Sequence, residues 1–207
     1  MAYSFNGLYA ITPDIADTDL LLAKVEAALQ GGINMLQYRN KTANHKLQTQ
    51  QARAILPLCR QYNVPLIIND SVKLFLTLDA DGVHLGADDG NLAEVMARIG
   101  SSKILGASCY NRFDLALQAQ KAGASYVAFG ACFSSNTKPN APVAGLSLFT
   151  RAKAELNIPS IAIGGITLQN ASQVIAAGAS AIAIINAIFG ANDVKLTSQQ
   201  LSQLFKS

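Results

Sequence analysis

The stretch Ala80-Asp81-Gly82-Val83-His84-Leu85-Gly86 is a small-residue turn running into a short apolar strand, and the chain repeats that design three more times. The other copies are Gly32-Ile33-Asn34-Met35-Leu36-Gln37, Ala124-Ser125-Tyr126-Val127-Ala128-Phe129-Gly130 and Ala179-Ser180-Ala181-Ile182-Ala183-Ile184-Ile185, spaced 44 to 55 residues apart. Self-similarity at a regular period is the signature of a repeated architecture. A strand, a helix and their loops take roughly 25 to 30 residues, so each interval holds two βα units. The alternate strands fall between the copies at Leu8-Tyr9-Ala10-Ile11-Thr12, Leu66-Ile67-Ile68-Asn69, Ile104-Leu105-Gly106-Ala107-Ser108 and Ile161-Ala162-Ile163-Gly164. Helical stretches with apolar residues at three-to-four spacing separate them, such as Leu20, Leu21, Val25, Ala28 and Leu29. Eight strands alternating with eight helices predict an α/β fold, a single (β/α)8 TIM barrel over residues 1–207, with an open doubly wound sheet as the competing arrangement.

Composition agrees. Of 207 residues 50% are apolar and 14% charged, which suits strands covered on both faces. The net charge of +3, from 16 basic and 13 acidic side chains, includes no basic run, so nucleic acid is not an expected partner. The three cysteines, Cys59, Cys109 and Cys132, have no metal-ligand spacing and leave one over in any pairing, which points to a reducing compartment. Met1 to Asn6 lacks the pattern of an export signal, and no apolar run reaches membrane-spanning length. A cytoplasmic protein without membrane contact is expected; a homo-oligomer is left open.

In such a barrel the carboxyl ends of the strands converge on one mouth, where chemistry is placed. Gln37-Tyr38-Arg39-Asn40-Lys41 follows the second strand, Asn69-Asp70 the third, Gly86-Ala87-Asp88-Asp89 the fourth, and Ser108 ends the fifth. Ser134-Ser135-Asn136-Thr137-Lys138 follows the sixth, Gly164-Gly165 the seventh and Asn186 the eighth. Arg39, Lys41 and Lys138 are three cations from two loops, suited to a diphosphate, with Ser135 and Thr137 as neutral donors. Asp70 and Asp89 suit a hard cation such as magnesium, which takes one or two carboxylates and completes its shell with phosphate oxygens and water. Gly164-Gly165 with the backbone near Ile185-Asn186 occupies the place where barrels hold a single phosphate through main-chain N–H groups. Two phosphate sites and one metal imply two phosphorylated reactants, or one molecule phosphorylated at both ends.

Bland readings exist for several of these positions. Asp88-Asp89-Gly90 also reads as a turn and helix cap, and paired glycines serve tight turns. His45 decorates a helix start, and His84, inside an apolar strand, reads as a hydrogen-bonded core residue. No histidine is expected to pair with a serine or cysteine, which disfavours triad chemistry.

At these residues the chain resembles the thiamine phosphate synthase family, almost end to end, from Gly7-Leu8-Tyr9-Ala10-Ile11-Thr12 to Asn186-Ala187-Ile188. The most specific stretches are Gln37-x-Arg39-x-Lys41, Ile68-Asn69-Asp70, Ala80 to Gly86, Thr137-Lys138 and Ala162-Ile163-Gly164-Gly165-Ile166-Thr167. The resemblance implies a transferase that joins 4-amino-2-methyl-5-hydroxymethylpyrimidine diphosphate to thiazole phosphate, giving thiamine phosphate and pyrophosphate with Mg2+. It places Gln37, Arg39, Lys41, Asn69 and Lys138 on the diphosphate and Asp70 and Asp89 on magnesium. Ser108, Ser135 and Thr137 would line the pyrimidine and diphosphate region, and Gly165, Ile185 and Asn186 would take the thiazole phosphate. Lys138, Ser108 and Arg39 would carry the catalysis. Ala87, Tyr110, Ala131, Ser134 and Asn186 depart from the residues common in the family. A thiazole tautomerase-like isomerase shares the scaffold but relies on a histidine after strand five, where Tyr110 stands. A catalytically silent phosphate-binding barrel is the third reading.

Overall fold

The computed structural model describes residues 5–87, 89–133 and 144–206. Eight parallel strands close on themselves in chain order: β1 (Gly7–Ile11), β2 (Met35–Tyr38), β3 (Leu66–Asn69), β4 (Gly82–Leu85), β5 (Ile104–Tyr110), β6 (Tyr126–Phe129), β7 (Ser160–Ile163) and β8 (Ala181–Ile184). Closure is made by β1 against β8, with Tyr9 opposite Ala183. The open sheet is thereby ruled out.

Strand alternation divides the apolar residues into two cores. Tyr9, Ile11, Met35, Ile67, Ile104, Tyr126, Ala128, Ile161, Ala181 and Ala183 fill the barrel interior. Leu8, Leu36, Leu66, Val83, Leu105, Val127 and Ile182, one position out of phase, pack outward beneath the helices. The outer layer comprises α1 (Thr18–Gln30), α2 (His45–Gln61), α3 (Val72–Leu78), α4 (Leu92–Ile99), α5 (Phe113–Lys121), α6 (Ser147–Glu155), α7 (Ala171–Ala176), the short α8 (Asn186–Phe189) and α9 (Val194–Gln203). Side-chain caps start many of them: Asp17, Asn44, Ser71, Asn91 and Asp193 each accept a backbone N–H from the first turn. Pro57 lies within α2. No helix among the described residues is long and apolar enough to cross a membrane.

At Gly106 the barrel interior leaves no free space for a side chain. A Cβ on Gly106 would lie 2.2 Å from Tyr126 Cζ and 2.5 Å from His84 Nδ1. The glycine makes room for two ring systems in the same layer, and this packing governs the polar interior described below.

Candidate functional site

The loop after β2 is held by residues of the β1 end. Thr12 is buried, and its hydroxyl donates to the Arg39 carbonyl while accepting the Arg39 N–H, both at 2.8 Å. Asp14 accepts from Arg39 Nη1 at 3.0 Å and from the Lys41 backbone N–H at 2.6 Å. Between them Asn40 turns inward, donating to the Ile15 carbonyl and to Gln51 Oε1, and accepting from the Ala43 N–H. A buried amide with its partners supplied fixes the loop as a rigid hook. Arg39 and Lys41 are therefore presented at the mouth on a braced backbone.

The carboxylates meet beside that hook. Asp70 directly follows β3 in a left-handed conformation, φ 60°, and its N–H donates to the His84 carbonyl at 2.9 Å. Asp89 reaches back to accept the Gly86 N–H at 2.7 Å. Lys41 Nζ stands 3.4 Å from Asp70 Oδ2. Partial burial, then a hydrogen bond and the negative charge from Asp89, push the Asp70 carboxyl above its ordinary range, and Lys41 offsets this only in part. A carboxyl that resists ionisation, set beside a second carboxylate, is suited to a divalent cation.

Inside the mouth the polar residues form a chain. Gln37 Nε2 donates to the Tyr9 hydroxyl at 2.8 Å, which lies 2.8 Å from the Tyr126 hydroxyl. Tyr126 Oη is 2.9 Å from His84 Nδ1, and His84 Nε2 is 2.8 Å from Ser108 Oγ. The expectation that no histidine pairs with a serine is therefore corrected: strand parity turns His84 and Ser108 to the same interior, and the register sets His84 beside Gly106. The pairing still does not make a triad, because a tyrosine occupies the orienting position at Nδ1. Burial pushes the His84 pKa down to about 4, against a small opposing effect of the Asp89 charge, so the ring is neutral and a weak base. Because the fold favours the neutral ring, His84 contributes stability that is complete above its unfolded value of 6.5 and is lost as pH falls towards 4. Urea midpoints compared at about pH 7 and about pH 4.5 are expected to fall less in His84→Gln than in the parent protein.

On the far side of the mouth, Gly164 and Gly165 both adopt positive φ, 97° and 66°, which suits glycine at successive positions. A Cβ on Gly164 would lie 2.7 Å from Ala131 Cα, so the turn presses directly on the chain after β6. Asn170 holds it, donating to the Gly165 carbonyl and accepting the Thr167 N–H. Ile185 follows β8 as the N-cap of α8, and Asn186 is the first residue of that helix. Ser135, Thr137 and Lys138 lie outside the described residues, as does Asp88.

Of the expected site residues, the structure brings Arg39, Lys41, Asp70 and Asp89 to one rim and Gln37 and Ser108 to one interior chain. Asn69 ends β3, Gly165 follows β7, and Ile185 and Asn186 follow β8, all at the carboxyl ends of the strands. Sequence reading missed Thr12, Asp14, Tyr9 and Tyr126. For the tyrosines, the inward facing that would have marked them belongs to the closed barrel and not to the apolar runs in which they sit.

Residues 8–188 match the family described as thiamine monophosphate synthase. A thiamine-phosphate synthase of Methylobacillus flagellatus is 55% identical over 200 residues, covering 97% of this chain and 95% of that protein. One from Aromatoleum aromaticum is 54% identical over 188 residues, covering 91% of this chain and 90% of its own. Among solved structures, thiamine phosphate pyrophosphorylase from Pyrococcus furiosus superposes with a TM-score of 0.87 at 32% identity, over 99% of this chain and 97% of that one. Orotidine 5'-phosphate decarboxylase from Pyrococcus horikoshii, at 13% identity and a TM-score of 0.69 over 97% of this chain and all of that one, shares the fold alone. With the family matched across nearly the whole barrel and half of all residues identical to its members, this chain belongs to the thiamine monophosphate synthase family.

Proposed function

We propose that the barrel joins a pyrimidine diphosphate to thiazole phosphate, releasing pyrophosphate and forming thiamine phosphate, as a transferase of thiamine biosynthesis. The carbon–oxygen bond between the pyrimidine methylene and the diphosphate breaks, and both electrons leave with the pyrophosphate. The thiazole ring nitrogen then donates its lone pair to that carbon, and the positive charge ends on the thiazolium ring. The aminopyrimidine spreads the charge between the two events, so no protein nucleophile is needed.

The observation that carries this reading is the meeting of Arg39, Lys41, Asp70 and Asp89 at one rim. Departure of a diphosphate needs cationic donors already in place where negative charge develops, and Arg39 and Lys41 are held there by Thr12, Asp14 and Asn40. Asp70 and Asp89 would hold Mg2+, which supplies charge neutralisation of the diphosphate when bound. The donor set fits: two adjacent carboxylates, one of them resisting ionisation without a cation. Gln37, Asn69 and Ser108 would contact the diphosphate and pyrimidine, and Ser135, Thr137 and Lys138, outside the described residues, would contribute to the same contacts. Gly165, Ile185 and Asn186 would take the thiazole phosphate. Alignment of two substrates in one mouth supplies the rest of the rate.

The isomerase reading lacks its base, since Tyr110 stands where that chemistry uses histidine. The deciding experiment supplies purified protein with Mg2+, the pyrimidine diphosphate and thiazole phosphate. Pyrophosphate and thiamine phosphate are expected in equal amounts; folded protein that yields neither would leave the silent phosphate-binding barrel as the answer.

A further inference from the structure

The chain of hydrogen bonds through the barrel interior joins a residue of β2 to one of β5, and its members differ in what they can donate. Gln37 presents an amide N–H to Tyr9, so the Tyr9 oxygen accepts there. Tyr9 is 1% exposed, and Gln37 and Tyr126 are its two hydroxyl partners among the described residues. With the first bond accepted, the single Tyr9 proton has Tyr126 as its partner. Tyr126 is fully buried and has then accepted a bond, so its own proton goes to His84 Nδ1. A neutral imidazole carries one N–H. With Nδ1 accepting, that proton sits on Nε2 and is given to Ser108 Oγ. The opposite polarity would leave the Tyr9 proton buried with nothing to meet, which folded proteins avoid.

We propose that Tyr9, Tyr126 and His84 are positioning residues, forming a one-way donor chain from Gln37 that satisfies Ser108 as an acceptor and so commits its hydroxyl proton to the ligand in the mouth. Ser108 is partly exposed, at the point where the pairing of β5 with β6 shifts register between Ser108 and Tyr110. A serine hydroxyl otherwise rotates to suit either a donor or an acceptor. Held in this way, it selects an acceptor: a diphosphate oxygen or an unprotonated pyrimidine nitrogen. Gly106 is part of the device, because any Cβ there would fall between Tyr126 and His84. The ligand's identity rests on the function proposed above, whereas the direction of the chain does not.

The direction is read directly from the His84 ring. The protein holds two histidines, so a His45→Gln variant leaves one imidazole to observe. Long-range 1H–15N correlation at neutral pH, without substrate, is expected to show the proton on Nε2. A proton on Nδ1, or a mixture of both, overturns the proposal whatever the protein's activity proves to be. The link to the ligand is tested by a double-mutant cycle on kcat/KM for the pyrimidine diphosphate. Tyr126→Phe is expected to lose roughly tenfold, the scale of one hydrogen bond, and Tyr126→Phe/Ser108→Ala no more than Ser108→Ala alone. Losses that multiply would show Tyr126 acting by packing and not through Ser108. If Tyr126→Phe fails to fold, the tautomer measurement still decides the direction.

Discussion

Asp70→Asn is expected to lower Mg2+-dependent turnover about 10²- to 10³-fold, the scale of removing one charge-stabilising group, while making the metal-free protein more stable. The two effects have one cause. In the fold, burial and Asp89 raise the Asp70 carboxyl above its ordinary value of 3.8, and Lys41 at 3.4 Å offsets only part of this. The protonated form is thus the one the fold favours. Its stabilising contribution is present below the unfolded value and is lost as pH rises through the folded one, so at neutral pH the charged group is a liability. Asparagine keeps the shape and removes the charge. The gain is small, below about 1 kcal/mol, because the side chain is about a third exposed and screened by water. It should shrink as pH falls towards 4. Mg2+ should raise the thermal midpoint of the parent protein and leave that of Asp70→Asn unmoved. Undiminished turnover in the variant would remove Asp70 from the metal site, and a lower metal-free midpoint would contradict the electrostatic account.

The barrel was legible because its strands repeat at a period of two βα units, a signal independent of exact boundaries. The cations and carboxylates at the mouth were legible because polar residues directly after apolar strands stand out. Which strand residues face inward was not legible. Both faces of a parallel barrel are covered, so the alternation that marks a half-exposed strand is flattened into a continuous apolar run. Tyr9 and Tyr126 disappear into such runs, and His84 reads as a lone core residue until the register brings Ser108 to it. Asp14 was hidden differently: it follows Pro13 and precedes α1, where an acidic residue reads as part of a helix start. Its partners Arg39 and Lys41 are distant in sequence and adjacent only once β1 pairs with β2.

Gly106→Ala is expected to destabilise the protein by about 1–3 kcal/mol, at the upper end of that range, although it adds a single methyl group. The new carbon would lie 2.2 Å from Tyr126 Cζ, 2.3 Å from its hydroxyl and 2.5 Å from His84 Nδ1. Neither ring is the loose end of a flexible chain. Tyr126 is fully buried, meets Tyr9 edge-on at 5.9 Å between ring centroids, and is stacked near His84 at 5.6 Å. Room can be made only by moving the β6 strand or by breaking the bond between Tyr126 and His84, and close-packed interiors resist the first. For a chain of this length each kcal/mol moves the thermal midpoint by about 2–4 °C, so a fall approaching about 10 °C is expected. Gly145→Ala is the control, because among the described residues the nearest atom to its Cβ would be Ser147 Oγ at 3.6 Å and the position is exposed. Equal midpoints for the two variants would show that the Tyr126–His84 layer has slack. The folded fraction of Gly106→Ala should also lose turnover by the factor seen in Tyr126→Phe, because both substitutions interrupt the same bond. A well-folded Gly106→Ala protein with full activity would mean that Ser108 does not depend on the layer beneath it.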